Sequence, residues 1–471
     1  MSRTLRIAIV GAGPAGTYAA DIVTSSELPA GYGEIAVDVF DADPTPFGLI
    51  RYGVAPDHPR IKEIVKALNR VMSKPEISFH GNLRIGRDIS IDELRAHYDA
   101  IVMATGARKD ADLNIPGVEL EGSFGAADFV SWYDAHPDAP QEWEFRPEAT
   151  SVAVLGMGNV ALDVARVLAK TAEEMLVTEI PDHVHEGLAA NPAVDVHVFG
   201  RRGPAQAKFS PMELRELAHS PNVDVIVHPE GFEFDEGSEE YVRQNKSQRL
   251  VVNVLTTYLA KDPKPDAACR IHLHFGAAPT EILGEDGRVT GLRTEVSELD
   301  GTGNARGTGE FVDWEVGAVY RAIGYKSDPI EGLPFDFGRN VIPNDGGRVL
   351  DESGEAVPGA YVTGWVKRGP IGLIGHTKSD AQQTITHLLE DLAARGVESA
   401  DGIESADGAD GFEGLRPLLD ERGITTTDWD GWVALDEHER TLGETDAHPR
   451  ERVKVATREE MVRVAAGALT H

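Results

Sequence analysis

Two glycine turns of one kind constrain this chain more than anything else in its 471 residues. The first, Gly11-Ala12-Gly13-Pro14-Ala15-Gly16, follows the apolar run Leu5–Val10 and opens a helix near Thr17. In such a turn Gly11 permits the tight bend, Gly13 lets backbone approach a pyrophosphate, and Gly16 lets helix pack closely on strand. The helix N-terminus adds free N–H groups and partial positive charge. The next strand, Ile35–Phe40, ends at Asp41, whose carboxylate is placed to accept from a ribose hydroxyl. Strand, turn, helix and acid together predict a dinucleotide site.

The second turn is Gly156-Met157-Gly158-Asn159-Val160-Ala161, between strand Ser151–Leu155 and helix Leu162–Lys170. Alanine takes the third glycine's place. The following strand, Val194–Phe199, ends in Gly200-Arg201-Arg202-Gly203 instead of an acid. An acid there would repel a 2′-phosphate, whereas two guanidiniums can hold it through charge-assisted bonds. The second site is therefore read as taking NADP(H) over NAD(H). Arg201 lies well beyond the roughly 20-residue spacing of the simple fingerprint. The excess falls on Thr171–Ala193, read as an extended helix and loop.

Short apolar strands alternate with helical stretches elsewhere too, as at Tyr98–Met103, and that order predicts parallel α/β sheets. Two regions break it. "RIHLHF" and "TEILGEDGRVTGLRTEV" read as strands with a hairpin around Gly284-Glu285-Asp286-Gly287. Residues 399–412 read as an acidic, Gly-rich loop, and Arg458–Leu469 as a terminal helix. The fold class is α/β, with two Rossmann-like three-layer dinucleotide-binding domains.

Composition removes other chemistries. The single cysteine, Cys269, excludes an internal disulfide, a four-thiolate iron–sulfur cluster and a paired-thiol redox centre. Electrons must pass through an organic cofactor or a partner's centre. A net charge of −33 repels nucleic acid. The N-terminus lacks signal-peptide architecture and no apolar run is long enough to span a membrane, so a cytoplasmic location is expected.

Four longer segments are more specific than any glycine turn: "PTPFGLIRYGVAPDHP", "GNVALDVAR", "GRRGPAQAKFSPMELRELA" and "GWVKRGPIGLIG". With them the chain resembles the adrenodoxin-reductase family, in particular its bacterial NADPH–ferredoxin reductases, in order to about residue 395 and weakly after it. The resemblance implies an NADP-binding domain, residues 111–325, inserted into an FAD-binding domain of residues 1–110 and 326–471, with a C-terminal extension from about residue 396. "IVMATGA" (Ile101–Ala107) and "VYRAIGY" (Val319–Tyr325) read as the crossings. It also implies FAD contacts at Ala15, Asp41, Leu49 and Leu83, with Trp365, Gly372, Leu373 and Ile374 near the flavin. NADP contacts are implied at Gly158, Asn159, Val160, Ala161, Arg201, Arg202, Glu213 and Gly372. The family's acid at the FAD ribose is usually Glu; Asp41 is one methylene shorter. Where some relatives carry a basic residue this chain has Ala111, with Arg108 and Lys109 nearby as replacements. "GPIGLIG" precedes a helical stretch, Thr377–Ala394, so its amides are placed to face the flavin's N1–O2 edge.

His58 and Glu216 match family residues near flavin and nicotinamide and are the catalytic candidates, although lone residues of these types are also commonly structural. Lys62, Lys66, Arg70 and Lys74, spaced four apart, read as one basic helix face that with Arg51 would steer an acidic ferredoxin; an ordinary solvated face has the same pattern. The activity expected is hydride transfer from NADPH to FAD, then single electrons to a ferredoxin-type carrier. The alternatives are an NADPH-responsive redox sensor or the reductase part of another electron-transfer system. A disulfide reductase would need the missing cysteine pair.

Overall fold

The computed structural model describes residues 2–58, 62–370, 374–395 and 410–467, without the side chains of 374–376. The strand Arg3–Val10 lies inside a seven-stranded sheet. Ile7, Ala8 and Ile9 are fully buried in succession, as a strand covered on both faces requires. Tyr32–Phe40 and Ile77–His80 lie on one side of it; Ala100–Met103, Ala356–Val362, Arg348–Leu350 and Asn344–Asp345 lie on the other. The strands from Ile77–His80 to Ala356–Val362 run parallel, and the last two pair antiparallel.

A second sheet of six parallel strands has the order Ser123–Gly125, Ala318–Arg321, Ser151–Leu155, Asp195–Phe199, Cys269–His274, Val223–Val227. Its core holds Phe129, Trp132, Tyr133 and Tyr320, each at most 1% exposed. Between the two sheets in sequence, Lys109–Asp110 pairs antiparallel with Tyr325–Lys326. The chain thus leaves the first sheet and returns to it side by side.

The hairpin is Ala277–Glu285 with Arg288–Leu299, closed by Asp286 and Gly287 at positive φ, the two-residue turn that Asp-Gly favours. "RIHLHF" is not part of it; that strand joins the parallel sheet. A third strand, Ala305–Glu315, extends the hairpin and is exposed along nearly its whole length. The stretch Thr171–Ala193 forms two short helices, Ala172–Met175 and Asp182–Ala189. Near the C-terminus lie Phe412–Arg422, Trp429–Thr445 and Arg458–Ala465, and the loop read over 399–412 falls largely outside the described residues. None of the described helices is long and apolar enough to cross a membrane.

One patch of the second sheet is unusual. His197, His228, His272 and His274 stack their rings, with His228–His274 centroids 4.3 Å and His197–His272 centroids 4.5 Å apart. His272 Nε2 lies 2.8 Å from Asp195, which also pairs with Arg270, and Trp314 of the antiparallel sheet covers His274 at 4.6 Å. Burial, then the neighbouring rings, pushes His197 down to about 4 and His274 to about 2. A histidine depressed in the folded state weakens folding below its unfolded pKa of about 6.5, and the loss grows until its folded pKa is reached. The melting temperature of the wild type should therefore fall more steeply between pH 6.5 and 4 than that of an H197Q/H274Q variant. Parallel curves in thermal scans would refute this.

Candidate functional site

Both glycine turns are built alike. Gly11 has φ +114°, and a Cβ there would lie 2.4 Å from the Ala104 carbonyl oxygen of the neighbouring strand. Gly156 repeats this against Ala322, with φ +134° and 2.2 Å. Gly16 packs so that a Cβ would meet the Gly11 carbonyl oxygen at 1.9 Å. Gly13 and Gly158 differ: a Cβ at either meets no protein atom within 4 Å. The first and third positions serve chain packing, and the middle one leaves room for a ligand's phosphates, the fit that a dinucleotide needs. The helices Pro14–Thr24 and Asn159–Ala169 start there, with Gly13 and Gly158 as extended N-caps offering no side-chain cap.

Around the first turn, Asp41 is buried at the strand end. Its Oδ2 accepts from Ala12 N at 2.7 Å and its Oδ1 from Asp43 N at 3.0 Å. Burial, and next the Asp43 carboxylate, raises Asp41 to about 6. Leu83 is buried, and its N–H donates to the Asp41 carbonyl at 2.9 Å. Phe47, at φ +80°, donates its N–H to Ala12 O, which lays the loop before Leu49 over the turn. Ala15 faces Gly364, where a Cβ would stand 2.7 Å from that of Ala15. Trp365 follows, with its ring 6.3 Å from Tyr325. Asp380 of the helix Ile374–Arg395 holds this corner by accepting from Gly364 N at 2.6 Å and Thr363 Oγ1 at 3.0 Å. Gly372 and Leu373 lie outside the described residues; Ile374 begins the helix, three residues earlier than read.

Around the second turn, Asn159 Oδ1 accepts from Ser210 N at 2.7 Å and so ties the turn to the helix Pro211–Glu216. Val160 and Ala161 form the next residues of the helix after the turn, and Ala161 is fully buried. Ser210 caps the second helix and bonds Glu213, whose carboxyl burial pushes upward. Arg201 is exposed and Arg202 half-buried. Among the described residues, neither guanidinium has an ion-pair or hydrogen-bond partner. Burial, and next the like charge of Arg201, lowers Arg202. An unpaired cation pair of this kind favours a dianion.

His58 stands between the parts. Its Nδ1 lies 2.5 Å from Glu216 Oε2 and its Nε2 3.1 Å from Asp163 Oδ1. Burial opposes its charge, but the Asp163 bond and the nearby Glu216 outweigh it and raise the pKa. Arg166 donates to Asp163 at 3.0 Å and to both oxygens of Asp57 at 2.7 and 2.8 Å, and Lys170 joins Asp57 at 2.7 Å. Asp57, Asp163, Arg166 and Lys170 escaped the sequence reading. The trace they leave is the i, i+3 pair inside "DVAR" and the acid beside His58.

The basic face is corrected. The helix runs Val65–Met72, so Lys62 precedes it and Lys74 follows it. Lys62 pairs with Glu179 and Asp134, Lys74 with Asp21 at 2.8 Å, and buried Arg51 with Glu439. Only Lys66 and Arg70 point to solvent. Near Ala111, Arg108 turns to Asp43 and Lys109 to Asp328, each within 2.8 Å. Cys269 is buried, and burial pushes its thiol up to about 12, which leaves it inert.

Against known proteins, the family model described as pyridine nucleotide-disulphide oxidoreductase matches residues 5–197. The chain is 40% identical over 470 residues to NADPH-ferredoxin reductase FprA of Mycobacterium leprae (strain TN), covering 98% of both chains. It is 37% identical over 479 residues to the mitochondrial NADPH:adrenodoxin oxidoreductase of Arabidopsis thaliana, covering 99% of this chain and 96% of that one. The chain belongs to the NADPH–ferredoxin and adrenodoxin reductase family. A solved structure, Mycobacterium tuberculosis FprA in complex with NADPH, superposes with a TM-score of 0.88 at 37% identity, covering 99% of this chain and 100% of that one. Family likeness therefore continues past residue 395, where the sequence motifs fade.

Proposed function

We propose that this protein is an NADPH-dependent ferredoxin reductase that binds FAD at the first turn and NADP(H) at the second. One observation carries the reading. Two turns of equal construction end in opposite charge, Asp41 at one and unpaired Arg201 and Arg202 at the other. When bound, the cofactors supply hydride transfer from nicotinamide to flavin and the release of single electrons to an iron–sulfur carrier. The chain's part is to bind and orient them. Gly13 and Gly158 admit the phosphates, Asp41 takes the FAD ribose, and Arg201 and Arg202 take the 2′-phosphate. Ala15, Leu49, Leu83 and Trp365 line the flavin site; Glu213 completes the nucleotide site. The pair Lys109–Asp110 and Tyr325–Lys326 is the natural boundary between FAD-binding and NADP-binding domains. A cytoplasmic location belongs to the same reading.

His58 and Glu216 would hold or pass a proton between the two cofactor sites. Since the cofactors carry the hydride chemistry, H58A should slow reduction of bound FAD by NADPH without abolishing it. Complete loss of reduction with FAD still bound would contradict this. For the carrier, the remaining exposed cations Lys66 and Arg70 form the docking point. A K66E/R70E variant should raise the KM for ferredoxin several-fold at low salt and leave that for NADPH unchanged. An unaltered ferredoxin KM excludes this surface.

The whole reading is tested by anaerobic titration with NADPH and NADH in parallel, followed at the flavin absorbance. Ferredoxin and cytochrome c are then added as successive acceptors. Equal reduction at equal nucleotide concentration refutes the assignment of the second turn. Absence of turnover on every one-electron acceptor would favour a redox sensor.

A further inference from the structure

Beside the first turn stands a half-buried cation, Arg108, that the glycine fingerprint does not require. Asp43, two residues past Asp41, is fully buried, and neither of its oxygens has a hydrogen-bond partner of proper geometry among the described residues. Two guanidiniums, Arg108 and Arg458, supply the opposite charge. Arg108 Nη1 lies 2.7 Å from Oδ2, His136 Nε2 3.4 Å from Oδ1, and Arg458 Nη2 3.7 Å from Oδ1. Asp43, His136 and Asp138 have the spacing of a metal site, but the cations there are guanidiniums: Arg458 also pairs with Asp138 at 2.7 Å.

Arg108 has two edges. Nη1 is pinned by Asp43 and by His136 Nε2 at 3.2 Å. Nη2 lies 3.9 Å from Asp41 Oδ1 and 4.0 Å from the position of a Cβ on Gly48, which itself would be 3.3 Å from Gly13 Cα. The free edge thus looks between the acid of the ribose position and the glycine of the phosphate turn. The side chain keeps 34% of its surface exposed although Asp43 has none. Without Arg108, two buried carboxylates would face the phosphates of a dinucleotide; burial and the Asp43 charge already raise Asp41.

We propose that Arg108 is a ligand of FAD, its Nη2 edge contacting the phosphate beside the adenosine ribose, and that Asp43 is the positioning residue that aims it. This rests on the reading of the first turn as the FAD site. A guanidinium fixed along one edge by a carboxylate loses little freedom when its other edge meets a phosphate.

The test follows FAD release from the purified holoprotein by the rise of flavin fluorescence on dilution, at several salt concentrations. R108Q should raise the Kd for FAD roughly 10- to 100-fold and flatten its salt dependence, the loss expected for a charge-assisted bond. R108K, which keeps the charge but not the fork, should fall between. The D43N/R108Q double variant separates ligand from counter-ion. If Arg108 contacts FAD, the double variant stays as weak as R108Q. Recovery of wild-type affinity would mean that Arg108 merely neutralises Asp43, and would overturn the proposal. So would wild-type affinity in R108Q. A wild-type chain that retains no FAD would instead overturn the reading of the turn itself. Melting curves of each variant report whether it folds.

Discussion

Replacing Arg201 and Arg202 together by glutamine is expected to lower kcat/KM for NADPH roughly a hundredfold or more and to leave kcat/KM for NADH nearly unchanged. The magnitude is that of two charge-assisted bonds to a 2′-phosphate that NADH lacks. The effect should be clean because these guanidiniums bond nothing else among the described residues. Burial and the like charge of Arg201 already lower Arg202, so the two repel in the free protein and a dianion relieves them. The double variant should therefore melt at or slightly above the wild-type temperature. Steady-state kinetics with both nucleotides and a thermal scan check this. A parallel fall with NADPH and NADH would show that the pair supports structure rather than selecting the nucleotide.

Much of the architecture was legible because its signals are local. Each strand–turn–helix unit spans a few tens of residues, and its glycines mark places where a side chain would collide with backbone, as Gly11 does against Ala104. The hairpin turn was legible for the same reason. The strand Ala305–Glu315 was not, because it buries no face and so has no inward alternation. Distant partners were hidden as well. Arg51 and Lys62 have the spacing and composition of surface cations, yet Arg51 meets Glu439, 388 residues away, and Lys62 meets Glu179. The surroundings of His58 fail to show for a similar reason: Asp163 and Glu216 come from the helices Asn159–Ala169 and Pro211–Glu216, more than a hundred residues away. Periodicity reveals which face a residue takes and says nothing of an opposite charge waiting across the fold.

The Arg51–Glu439 pair leads to the second large effect. Glu439 is fully buried, and its oxygens take Arg51 Nη1 at 3.0 Å, Arg51 Nη2 at 2.5 Å and Val455 N at 3.0 Å. The Arg51 guanidinium also lies 5.2 Å from the rings of Tyr52 and Trp432. Next to it, Lys454 Nζ donates to the Arg51 carbonyl at 2.6 Å and the Asp134 carbonyl at 3.0 Å, and Arg450 reaches the Ile180 carbonyl. The segment 450–455 thus ties the short helix Leu49–Tyr52 to two connections within the second sheet's domain, at Asp134 and Ile180. Removing one partner of a buried pair strands the other charge, at a cost of about 3–5 kcal/mol. E439L should therefore lower the melting temperature by roughly 3–5 °C. Because Arg51 lies two residues past Leu49, it should also speed FAD release. An R51M/E439L double variant removes both charges and should recover much of the loss, since apolar replacements of a whole pair are often neutral and Arg452, 3.5 Å from Glu439, keeps its pair with Asp436. Differential scanning calorimetry on wild type, single and double variants decides it. If E439L melts within about 2 °C of wild type, the pair is solvent-relaxed and the C-terminal segment does not clamp the flavin loop.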